Sequence, residues 1–234
     1  MSFSANKDAI LSRIAAAAAR AHRDPHEIEL IAVSKTHPVE LIVEAVDAGV
    51  RLLGENRVQE ALDKFPLPPR PDGTPRDYAL HLIGSLQRNK IRKILPLCAT
   101  LHAIDSVELY EAINRIAGEL GVRRSVLLQV NTSREPNKSG FAPEPLMEVL
   151  ESLPPAPHLD LIGFMTMGPV EGGPEAARPC FQELAALLKT AREKFGDRYP
   201  LLAKLSMGMS GDFEIAVEEG AHYVRVGTAL FGER

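Results

Sequence analysis

Cysteine is scarce in this chain: of 234 residues only Cys98 and Cys180 carry a thiol, and neither belongs to a CxxC pair or a Cys/His cluster. That excludes a disulfide-stapled scaffold and a thiolate metal site, and it suits a reducing, cytoplasmic setting. Long apolar runs are also missing. The Ala15 to Ala19 stretch is the nearest approach, but Lys7, Asp8 and Arg13 interrupt its surroundings. The segment reads as an amphipathic helix over about residues 5–22, neither a membrane span nor an export signal. No excess of positive charge exists: 27 Lys+Arg against 31 Asp+Glu leaves a formal charge of −4, which argues against a nucleic-acid partner.

What is present is an ordinary globular composition, 45% hydrophobic and 25% charged, enough for a full core. Eight short apolar runs follow one another, at 29–34, 51–54, 80–83, 101–104, 125–130, 159–164, 201–206 and 223–226. Helical faces alternate with them: Leu41, Ile42, Ala45 and Val46, then Leu109, Ile113, Ile116 and Leu120, then Phe181, Leu184, Leu187 and Leu188. Pro38 opens a helix, Asp105 with Glu108 or the adjacent Ser106 supplies a cap, and Gly49, Gly121 and Gly220 stop helices. Proline-rich or glycine-bearing segments at 65–77, 153–157 and 168–174 read as surface loops rather than linkers. The expected architecture is an α/β fold, a single (β/α)₈ TIM barrel over 1–234; an open doubly wound sheet is the alternative.

In such a barrel the chemistry gathers where strands end. There the sequence offers Lys35, Asn56, His81, Asp105, Asn131, Thr166, Ser206 and Arg225. Lys35 follows the run LIAVS with no charged neighbour in sequence. A half-desolvated lysine amine can attack a carbonyl and form a Schiff base, whereas a solvated lysine at a loop start does nothing. The last two runs lead into SMGMSGD and GTALFG, turns whose small residues let backbone N–H groups approach an anion. Ser206 and Thr228 offer hydroxyls to such a phosphate site, with Gly227 between strand and helix; turn chemistry alone also explains the glycines.

A lysine facing a phosphate cradle suits pyridoxal 5′-phosphate (PLP), and equally a sugar-phosphate aldolase. Arg225 discriminates in part. An arginine only donates hydrogen bonds, so a ring nitrogen facing it stays unprotonated, a weak electron sink. An ion pair of Arg225 with Glu55 is the plain alternative. His81 reads as a satisfied barrel-mouth histidine, and Lys138, in SREPNKSG, as a solvated turn residue or a second exchange site.

The stretches IAVSKTHP, LLGENRVQE, HLIGSLQRNK, VLLQVNTSREPNKSGF and LSMGMSGDFEIAVEEGAHYVRVGTALFG resemble the YggS/PROSC family of pyridoxal-phosphate homeostasis proteins over essentially the whole chain. The resemblance implies a barrel like the N-terminal domain of alanine racemase, with Lys35 as the Schiff-base lysine. It implies Asn56 near the ring oxygen, Ser206, Gly227 and Thr228 at the phosphate, and Arg225 at the ring nitrogen. Departures fall at Thr166, Gly168 and the VEGGPEAARP stretch. It further implies a cytoplasmic, non-enzymatic PLP binder, monomeric or weakly dimeric, whose partners are PLP and the apoenzymes that use it, with no membrane or nucleic acid.

Related racemases take their second acid/base from an additional β domain, and this chain ends at Phe231 to Arg234, directly after the eighth run. A carrier or reservoir with the cofactor in an open mouth is therefore the expectation. A weak amino-acid racemase using Lys35 with water or His81, and an aldolase, are the alternatives.

Overall fold

Strands flanked by helices on one side and by other strands' side chains on the other have no solvent face, so their sequences run apolar without alternation. The computed structural model, which describes residues 2–232, arranges these runs as β1 (Glu29–Val33), β2 (Leu52–Glu55), β3 (Ala79–Leu82), β4 (Cys98–Ile104), β5 (Arg124–Gln129), β6 (Leu159–Met165), β7 (Lys204–Ser206) and β8 (Tyr223–Val226). They form a closed parallel barrel in sequence order. Closure is made by β1 against β8, with Ile31 level with Arg225 and Ala32 with Val226. The open sheet is excluded.

Between the strands lie α2 (Val39–Asp47), α3 (Val58–Lys64), α4 (Ile91–Ile94), α5 (Val107–Glu119), α6 (Leu146–Ser152), α7 (Arg178–Phe195) and α8 (Phe213–Glu218), with α9 (Thr228–Phe231) after β8. Before β1, α1 (Phe3–Arg20) begins at Ser2, whose hydroxyl accepts from the Ala5 N–H, and buries Phe3, Ile10 and Ile14. The cap of α5 is Ser106 rather than Asp105: its Oγ accepts from Leu109 N–H at 3.3 Å. The three proline- and glycine-rich segments contain no strand or α-helix, apart from a short 3₁₀ turn beginning at Pro174.

The core has two parts. The larger lies between sheet and helices, where Leu53, Leu80, Leu101, Val126, Phe164 and Val224 meet Ile42, Ile113, Phe181 and Leu184. Inside the barrel a smaller apolar cluster joins Ala103, Leu127 and Met165. The rest of the interior is polar: His81, Thr100, His102, Ser206 and Arg225 are all buried. That departs from the branched aliphatic filling usual for this architecture.

The seventh strand is shorter than its apolar run. Leu202 N–H bonds to Tyr199 C=O in a turn behind Pro200, so regular pairing starts only at Lys204. Its pairing with β8 is one register position, Ser206 with Tyr223. The ladder continues into the following loop, through Met207 N–H to Tyr223 C=O and Arg225 N–H to Gly208 C=O. Gly208 then turns the chain at φ +88, where an added Cβ would lie 2.5 Å from the Ala216 methyl. This turn sets the 207–212 loop over the barrel mouth.

Phe181 is wholly buried on α7. Phe181→Ala is expected to lower the unfolding free energy by ~3–5 kcal/mol in urea titration; a loss below ~1 kcal/mol would mean that the helix layer repacks without it.

Candidate active site at the barrel mouth

At the C-terminal ends of the strands a cleft of about 280 Å³ is lined by Val33 and Lys35 from β1 and its turn, Asn56 after β2, Ile83 after β3 and Met167 after β6. Met209, Ser210 and Gly211 of the 207–212 loop, with Arg225, Gly227 and Thr228, complete it. The volume falls just below the ~300–1,000 Å³ typical of ligand pockets, a size for one small molecule. Lys35 is half-buried, and none of the described residues forms a hydrogen bond or ion pair with its ammonium. Met209 is 41% exposed on the rim, so the mouth is open to water.

Arg225 rises from the floor. Its Nη1 donates to Ser206 Oγ at 2.6 Å and its Nη2 to Thr166 C=O at 2.9 Å. No carboxylate among the described residues forms an ion pair with it; Glu55 pairs with Lys64 instead. Burial pulls the guanidinium down to about 10, against the pull of the Asp212 charge, and it remains cationic at neutral pH. Further N–H donors stay available beyond these two bonds.

A directed chain of hydrogen bonds follows from this one donor. Ser206 Oγ accepts from Arg225, so its own proton goes to His102 Nδ1, 2.9 Å away. His102 then carries its proton on Nε2 and gives it to His81 Nδ1 at 2.9 Å. Burial holds His81 down to about 4. His102 is depressed well below the ordinary value by burial, then by the neighbouring His81 and Arg225. Both imidazoles are neutral links, and Tyr223 packs edge-on against them.

Of the residues expected at the mouth, Lys35, Asn56, Arg225, Gly227 and Thr228 are brought together. Ser206 is not in the cleft. It is wholly buried beneath Arg225, and the serine lining the cleft is Ser210, whose Oγ accepts from Gly227 N–H at 3.3 Å. Sequence reasoning missed Ser210, though SMGMSGD contains it beside Gly211, and missed Asp212, half-buried with its carboxyl pushed up by burial.

His81 lies within β3 and faces the interior, not the rim. Asn131 shapes the loop after β5 by donating to Glu135 C=O and Lys138 C=O, and Thr166 Oγ1 is spent on Thr132 and Val130. Lys138 is no solvated turn residue: its amine is held by Gly168 C=O at 2.6 Å and by Glu135.

Three larger grooves, of about 540, 510 and 530 Å³, lie around Pro154 to Pro157 and Tyr199 to Leu202 or on the adjoining helices. Those two segments precede β6 and β7, at the opposite rim, and none of the strand-end residues reaches the grooves. We therefore place the chemistry in the smaller cleft. Among the described residues no cluster is arranged to hold a metal ion, and no helix is long and apolar enough to cross a membrane.

The chain matches the family model for the alanine racemase N-terminal domain over residues 5–234. It is 38% identical over 225 residues to the pyridoxal phosphate homeostasis protein of Aquifex aeolicus, covering 96% of this chain and 95% of that one. A protein of unknown function from Bifidobacterium adolescentis superposes with a TM-score of 0.90 at 36% identity, over 97% and 94% of the two chains. PipY of Synechococcus elongatus, solved with PLP bound, superposes with a TM-score of 0.75 at 36% identity, over 95% and 100%.

The buried histidines give the fold a pH dependence. His81 titrates near 4 when folded against an ordinary 6.5, so the unfolded chain binds the proton first as the pH falls. Stability should be full above 6.5 and should decline toward pH 4, by about 3 kcal/mol from His81 alone, in urea titrations across that window. A flat profile there would contradict the neutral chain.

Proposed function

The chain belongs to the pyridoxal phosphate homeostasis proteins, within the alanine racemase N-terminal domain family, and from that premise we propose that its cleft holds PLP reversibly as a carrier or reservoir without catalytic turnover. The observation that carries this reading is the pair of charged residues lining the cleft: Lys35, with an unengaged amine, and Arg225, fixed from below. The cofactor supplies an aldehyde that a lysine amine can capture as a Schiff base.

The remaining lining fits such a group. Val33, Ile83 and Met167 offer apolar contact for a planar ring, and Asn56 an amide for its oxygen substituent. Ser210, Gly227 and Thr228 bring a hydroxyl pair and a glycine to the start of α9 for the phosphate. Ser206 then acts from beneath, by holding Arg225 rather than by touching phosphate. Arg225 donates and cannot protonate a ring nitrogen, which weakens the ring as an electron sink.

Lys35 is also the sole general base lining the cleft among the described residues, since Arg225 keeps its proton and His81 is committed to His102. Two-base racemisation needs a second such group on the opposite face. These features support holding and handing on over turnover, in a cytoplasmic protein that serves PLP-dependent apoenzymes.

Purified protein mixed with PLP is expected to show the visible band of a Schiff base, and borohydride to fix the label on Lys35. Lys35→Ala should lose both; a persistent band with label elsewhere would overturn the assignment. Exchange of amino-acid α-protons in heavy water should not exceed that of free PLP. Exchange well above it would replace the carrier reading with racemase chemistry.

A further inference from the structure

Lys35 is not the only lysine beside the mouth, and the way the second one is used explains how the first is presented. Lys64, at the end of α3, is 10% exposed in its side chain and gives its ammonium to three acceptors. These are Ser34 C=O at 2.8 Å, Glu60 Oε1 at 2.6 Å and Glu55 Oε1 at 3.1 Å. Glu60 stands one helical turn before Lys64, and its Oε1 also accepts the Thr36 N–H. Glu55, wholly buried at the end of β2, takes the Ser34 hydroxyl at 2.7 Å on the same oxygen, and its Oε2 has no hydrogen-bond partner among the described residues.

The topology of these bonds is specific. Ser34 C=O belongs to the peptide group before the Lys35 Cα, and Thr36 N–H to the one after it. Both peptide planes bracketing Lys35 are thus tied to one ion cluster on α3. Thr36 is held at φ +64, a left-handed conformation that a β-branched residue disfavours, in a turn whose only backbone closure among the described residues is His37 N–H to Ser34 C=O at 3.2 Å, so the tie from α3 adds to a weakly closed turn. Burial raises the Glu55 carboxyl while Ser34 and Lys64 oppose the rise, so Lys64 sits in a pocket of compensating acids.

We propose that Lys64 and Glu60 are positioning residues for Lys35: they lock the peptide groups on either side of it so that its amine, and not that of Lys64, is the one presented to a carbonyl ligand. The inference rests on the PLP reading above and concerns how the lysine is presented, not whether it reacts. Lys64 cannot compete, because its ammonium is committed to three acceptors while held. A plain structural ion pair would stabilise α3 without affecting Lys35.

The test compares wild type with Glu60→Ala, Lys64→Met and Thr36→Gly/Glu60→Ala. Two readouts are taken: amide hydrogen exchange of the 34–37 segment in protein without PLP, and the rate of borohydride-fixed labelling of Lys35 after mixing with PLP. Glu60→Ala and Lys64→Met should speed exchange at Thr36 at least tenfold and slow labelling several-fold. Thr36→Gly should restore part of the labelling rate, because glycine adopts the turn unaided.

Unchanged exchange, or faster exchange with wild-type labelling, would overturn the clamp. Should Lys64→Met fail to fold, Glu60→Ala decides, since it removes a side chain at the helix surface. Failure of the wild type itself to label Lys35 would overturn the PLP reading instead, and the exchange measurement would still judge the restraint on the turn.

Discussion

A guanidinium buried inside a barrel with no carboxylate among the described residues ion-paired to it is the constraint around which the rest of this interior is arranged. Burying a charge is costly unless hydrogen bonds replace its hydration, and Arg225 is served by Ser206 Oγ and Thr166 C=O. Ser206 must accept, so it must donate onward, and His102 and His81 fall into line as neutral tautomers. Apolar filling is given up over that half of the barrel. What is gained is a cation fixed at the floor of a cleft, with donors left over beyond Ser206 and Thr166. The same cation depresses His102, so site and scaffold share one electrostatic field.

Three lysines near the mouth illustrate how environment decides chemistry when residue type does not. Lys64 is spent on two carboxylates and a carbonyl, and Lys138 on Gly168 C=O and Glu135. Lys35 has no such partner among the described residues and lines the cleft. A nucleophilic amine must spend part of its time unprotonated and unbonded. The two committed lysines are tethered as ammonium donors, by partners distant in sequence or across a turn that the residue types alone do not reveal.

Much of the architecture was legible because it depends on local pattern. Eight apolar runs separated by helical faces locate the strands, and Gly49, Gly121 and Gly220 do follow α2, α5 and α8 at positive φ. Errors arose where tertiary geometry overrides alternation. Ser206 and Ser210 lie four residues apart in one motif, and only the turn at Gly208 sends the first into the floor and the second into the cleft. His81 reads as a rim residue because its partner, His102, is on another strand. The placement of Lys35 and Arg225 at the mouth was legible because a charged residue at the end of, or within, an apolar run has few structural uses.

Turnover on an aldehyde ligand asks more of a cleft than capture does, and the difference is geometric. Stabilising a carbanion requires preorganised donors in a water-poor site, together with a second base. Here the rim holds exposed Met209, Lys35 is the one amine lining the cleft among the described residues, and Arg225 can only donate hydrogen bonds. Under the carrier reading proposed above, each feature would lower catalytic power without weakening a covalent yet hydrolysable hold on an aldehyde. An open mouth admits water, which releases the ligand as readily as it screens charge. On the same carrier reading, selection for exchange rather than for chemistry would leave a lysine, an arginine and small hydroxyl-bearing residues lining one open cleft, as Lys35, Arg225, Ser210 and Thr228 do here.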